Sequence, residues 1–166
     1  MKKLYTLLLL LPTIALGQIK INEVDADTPG GDTAEFIELY SSSPNTDLTG
    51  YIIVFYNGSD DKSTGTPVDL AGYSTDSNGF FVIGNSGVTG ASITINSNTI
   101  QNGADAVALY QDNASNFPND TALTTTNLID AVVYDTNDSD DSGLLTGLNE
   151  STCLLYTSDA ADDRSC

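Results

Sequence analysis

Residues 34–40, AEFIELY, constrain the fold of this chain more than any other stretch. Side chains alternate across a β-strand, so Glu35, Ile37 and Leu39 point one way while Phe36, Glu38 and Tyr40 point the other. Such a strand buries one face against a second layer. Glu35 and Glu38 fall on opposite faces, so at least one carboxylate must find a partner or sit at a wet edge of the core.

The rest of the chain repeats this theme. Residues 19–24, 80–83, 93–95, 104–110 and 128–134 are short apolar or alternating runs, and residues 68–70 form a weaker one. Turn residues separate them: Pro29-Gly30-Gly31, Pro44-Asn45, Asn57-Gly58 and Asn78-Gly79. Residues 50–56, GYIIVFY, are apolar almost throughout, as suits a central strand covered on both sides. In residues 104–110 a small face of Ala104, Ala106 and Ala108 predicts close packing against a neighbour. Seven or eight short strands at turn-separated spacing predict an all-β, immunoglobulin-like β-sandwich.

The four best-marked segments also resemble a known family. Ile21-Asn22-Glu23-Val24, then Glu35-Phe36-Ile37-Glu38-Leu39 with Leu48-Thr49-Gly50-Tyr51, then residues 102–110 and residues 129–134 follow the order of motifs in lamin tail domains. These are the immunoglobulin-like sandwiches of nuclear lamins and many bacterial secreted proteins. The similarity spans about residues 19–135. It implies a lamin-tail-like sandwich, and a family pattern in which a further strand usually follows. Here the chain instead reaches residues 135–143, so the sandwich is expected to be truncated at its last strand, with an edge left open.

The two ends read differently from the middle. Residues 1–17 carry Lys2 and Lys3, an apolar run and Ala15-Leu16-Gly17, the three regions of a secretory signal peptide. The run is shorter than the roughly 20 residues that span a bilayer, so no transmembrane segment is expected in the mature chain. The mature domain is expected to occupy residues 18–152, outside the cytoplasm, secreted or at the cell surface. From Cys153 the sequence CLLYTSDAAD resembles the conceptual translation of a transposase sequencing adapter, which marks residues 153–166 as a non-native tail.

Both cysteines, Cys153 and Cys166, lie in that tail, and the chain has no histidine. A secreted domain without cysteine is held by its core or by metal rather than by disulfides. Ser-His-Asp, Cys-His and histidine-based metal catalysis are all excluded. Two-carboxylate chemistry is the one catalytic option that the composition leaves open, and the expectation is a protein that is not an enzyme. The net charge is −18. Removing both ends takes away three basic residues (Lys2, Lys3, Arg164) and three acidic ones (Asp159, Asp162, Asp163), so −18 persists. Such a surface repels nucleic-acid phosphates and attracts cations, so no nucleic-acid partner is expected.

Hard oxygen ligands are what the chain has in surplus, and they suit calcium. Asp138, Asp140 and Ser142 stand at positions one, three and five of an EF-hand-like loop with Gly143 at six. Position twelve is Asn149, and no helical pattern flanks the loop. A second cluster, Asp25, Asp27 and Asp32 with Glu35, brackets the Gly-Gly turn. These two sets are the candidate calcium ligands. Exposed aromatics at Tyr51, Tyr56, Tyr73 and Phe80 offer a protein or glycan contact, although core or rim positions suit them better. The expected function is a non-catalytic secreted interaction module. The alternatives are an accessory domain of a larger extracellular nuclease or phosphatase, and a calcium-dependent adhesion module.

Overall fold

In the computed structural model of the chain, residues 18–28, 31–136 and 139–155 are described. The expected signal peptide, residues 1–17, and most of the expected non-native tail, residues 153–166, lie outside them. The described chain is an all-β sandwich of two sheets. Its strands are β1 (Ile19–Asp25), β2 (Phe36–Ser41), β3 (Tyr51–Asn57), β4 (Lys62–Asp69), β5 (Phe80–Gly84), β6 (Ile93–Thr94), β7 (Asp105–Gln111), β8 (Leu128–Asp135) and β9 (Cys153–Leu155). One helix, α1 (Ser142–Leu148), connects the last two. The first sheet has the order β1-β2-β5-β6 and the second β4-β3-β7-β8-β9.

The period-two patterns explain the layering. On β2 the inward residues are Ile37 and Leu39, both fully buried, while Phe36, Glu38 and Tyr40 are half-buried on the outer face. Ile37 stands opposite Val24 on β1 and Ile83 on β5. Across the gap they meet Ile53 and Phe55 of β3, Val107 and Leu109 of β7, and Val132 and Tyr134 of β8. Leu48, Leu70 and Ile100 join this cluster from loops. The layers are also tied by a hydrogen bond of 2.8 Å from Ile21 N to Asp130 Oδ2.

The unbroken apolar run of β3 has its reason in a second cluster. Ile52, Val54 and Tyr56 point away from the first sheet and pack with Ala106, Ala108, Tyr110, Ala131 and Val133. Leu144 and Leu148 of α1, together with Phe117, cover this outer face. The small alanine face of β7 therefore lets the helix and the loop at Phe117 approach closely. The hydroxyls of Tyr56 and Tyr110 lie 2.9 Å apart, and Tyr110 donates to the Thr124 carbonyl at 2.7 Å, so both polar tips are satisfied inside an apolar layer.

Three features differ from expectation. The weak run at residues 68–70 begins at the end of a longer strand, β4, whose Gly65, Pro67 and single buried residue, Ser63, give no alternation to read. It is an edge strand, where such residues are tolerated. Residues 142–148, read as part of a loop, are helical: Asp141 caps the start by accepting from Leu144 N, Asn149 ends it in the left-handed conformation, and Leu144 and Leu148 share the buried face. The edge of β8, expected to lie open, is covered by β9 in parallel. Gly79 is needed where it stands, because its φ is +92° and a Cβ there would strike the Ser41 carbonyl oxygen.

Candidate functional site

Glu35 immediately precedes β2 and shares the inward face of Ile37 and Leu39. It is 0% exposed, and neither carboxylate oxygen has a hydrogen-bond partner. Its backbone is held firmly. Glu35 N donates to Asn85 Oδ1 at 2.8 Å, Asn85 N donates back to the Glu35 carbonyl at 2.9 Å, and Asn85 Nδ2 reaches the Asn96 carbonyl at 3.1 Å. A buried carboxylate without donors carries the full cost of desolvation. Burial, followed by the charges of Asp32, Asp25 and Asp27, raises its pKa from 4.5 to about 7. By contrast Glu38, on the outer face, accepts from Asn22 Nδ2 at 2.8 Å.

The three aspartates surround Glu35 at the end of the sandwich where β1 leaves and β2 enters. Asp25 ends β1 opposite Phe36, and burial raises its pKa. Asp27 and Asp32 lie in the connection, both half-buried, and Asp32 Oδ2 accepts from Asn102 Nδ2 at 3.1 Å. No three of these four carboxylates have oxygens within 4.8 Å of one another.

The other predicted set divides. Asp138 lies outside the described residues. Ser142 is exposed as the first residue of α1, so positions five to eleven of the expected loop are helical. Asp140 is exposed but approaches two residues that spacing did not connect with it. Asp135, Asp140 and Cys153 have ligand atoms within 4.8 Å of one another, the one such group of three among the described residues. Asp135 is 2% exposed, its Oδ1 is unpartnered, and its Oδ2 accepts from Cys153 Sγ at 3.3 Å. Burial, with Asp135 beside it, pushes the Cys153 thiol up to about 12, so it stays protonated and a poor metal ligand at neutral pH.

A further acidic contact joins the β3–β4 turn to the start of α1. Asp61 adopts φ +57° and lies over Gly143, where a Cβ would strike its carboxylate. Burial and the neighbouring Asp141 raise its pKa. Sequence reasoning missed this pairing, since nothing in the spacing connects residues 61 and 141.

The arrangement offers little to acid–base catalysis. Glu35 has the raised pKa of a general acid, but both of its carboxylate oxygens are buried between the sheets. Of the aromatics singled out, Tyr56 is core, Tyr51 and Phe80 are half-buried, and Tyr73 is 40% exposed. Phe80 packs on Tyr40 with ring centroids 5.0 Å apart, and the Lys20 ammonium lies 6.0 Å from the Tyr40 ring. No helix among the described residues is long and apolar enough to cross a membrane. In comparisons with known proteins, the chain matches no family model and no curated protein.

Proposed function

We propose that this chain is a secreted, non-catalytic interaction module built on a lamin-tail-like, immunoglobulin-like sandwich, and that its partner is a protein or a glycan. The observation that carries this reading is the difference between the two outer faces. The five-stranded sheet is sealed by α1 and the loop at Phe117, whereas Phe36, Tyr40, Phe80 and Val82 on the four-stranded sheet keep partial access to solvent. Rigid aromatic rings with polar neighbours such as Glu38 and Lys20 are the usual anchors of protein and glycan contacts. The basis for secretion is the leader pattern of residues 1–17, and the lamin-tail assignment rests on the four ordered motifs.

The test compares the full chain with a Tyr40→Ser/Phe80→Ser variant on arrays of glycans and extracellular proteins, with melting curves confirming that both fold. The expected result is saturable binding that the variant weakens at least 10-fold, and no turnover of nuclease or phosphatase substrates. Hydrolysis above a protein-free blank, or binding that the variant leaves intact, sinks the reading.

A further inference from the structure

Strand alternation carries Glu35 into the gap between the sheets, where every other inward residue of β2 is apolar or small. The reciprocal backbone pair with Asn85 fixes that position, so the carboxylate cannot swing out to water without breaking the end of the strand. Both of its oxygens are buried and unpartnered. The charges acting on it are those of Asp32, Asp25 and Asp27, all of the same sign. Neither described basic side chain, Lys20 or Lys62, is among them. A group so placed needs a counter-charge that the described residues do not supply.

We propose that Glu35 anchors a calcium ion at this end of the sandwich, with Asp25, Asp27 and Asp32 supplying the remaining side-chain ligands. An all-carboxylate donor set without histidine or thiolate selects a hard cation. Calcium tolerates six to eight oxygen ligands in irregular geometry, including backbone carbonyls and water, whereas magnesium demands a near-octahedral shell. The division of labour follows from the fold. Glu35, just ahead of β2, has its backbone pinned by Asn85, while the three aspartates, at the end of β1 and in the connection, would have to rotate their side chains to close on the same ion. The ion binds whether or not the outer aromatic face docks a partner, so failure of one proposal leaves the other standing.

The experiment follows the melting of the full chain, previously stripped with a chelator, in millimolar CaCl2 and in NaCl of equal ionic strength. A ligand bound only by the folded state raises the melting temperature, here by roughly 5 °C or more. Glu35→Gln preserves shape but removes the charge, so it should abolish the calcium-specific rise, while Asp140→Asn should keep it. If Glu35→Gln fails to fold, Asp32→Asn at a half-buried position decides: calorimetric titration with calcium should show at least 10-fold weaker binding than the parent chain. The proposal is overturned if calcium gives no rise beyond sodium, if Glu35→Gln retains the full rise, or if Asp32→Asn binds calcium as the parent does. Retention by Glu35→Gln with loss in Asp140→Asn would move the ion to Asp135 and Asp140.

Discussion

At the scale of single residues, the fate of two glutamates three positions apart shows how much a face matters. Glu38 looks outward and is held by Asn22, whereas Glu35 looks inward with both oxygens unmatched. The consequence for pH follows by linkage. Glu35 has a folded pKa of about 7 against an ordinary value of 4.5, so the folded state holds this proton more tightly than the unfolded chain. Its contribution to stability is therefore complete below pH 4.5 and is lost as the pH rises through 7. In chelator-treated buffer, the melting temperature is expected to fall between pH 5 and pH 8, and Glu35→Gln should flatten that slope. An unchanged slope in the variant would place the titration elsewhere, for instance at Asp25 or Asp61, whose values burial also raises.

At the scale of elements, α1 is the piece that turns a two-layer sandwich into one with a covered outer face. Its seven residues are too few to be stable alone, so the helix exists because Leu144 and Leu148 find Ala106, Ala108 and Val133 beneath them. Leu148→Ala removes a side chain that is 1% exposed and is expected to cost about 2–5 kcal/mol. Urea unfolding monitored by circular dichroism measures this directly. A loss below about 1 kcal/mol would mean that the helix does not contribute to the cooperative unit. The helix is hard to read because Gly143, Thr146 and Gly147 lower its intrinsic propensity, while the aspartates ahead of it, Asp138 and Asp140, suggest a metal loop. The signals that could have found it are an aspartate at 141 to cap the start, an asparagine at 149 just past the end, and leucines four apart at 144 and 148.

At the scale of the whole molecule, a net charge of −18 on 166 residues sets up self-repulsion that the compact state feels more than the unfolded chain does. Screening weakens it, with a Debye length of about 10 Å at 0.1 M salt. The melting temperature is therefore expected to rise by several degrees as NaCl goes from about 0.02 M to 0.5 M, in the chain and in Glu35→Gln alike. A fall over that range would show that attractive pairs outweigh the repulsion. The strands of this sandwich were legible from the chain alone because period-two alternation and turn residues are local properties: residues 19–24, 50–56, 80–83, 104–110 and 128–134 all lie in strands or within a residue of one. The opposite faces of Glu35 and Glu38 were legible for the same reason. Local pattern carries no information about which distant segment will lie opposite, so several outcomes waited for the tertiary structure. Only packing decided that the Glu35 face, not that of Glu38, turns inward, that Asp135 and Asp140 meet Cys153, and that Asp61 lies over Gly143. Each of these depends on contacts between residues far apart in sequence, whose energies are set once the sheets have stacked.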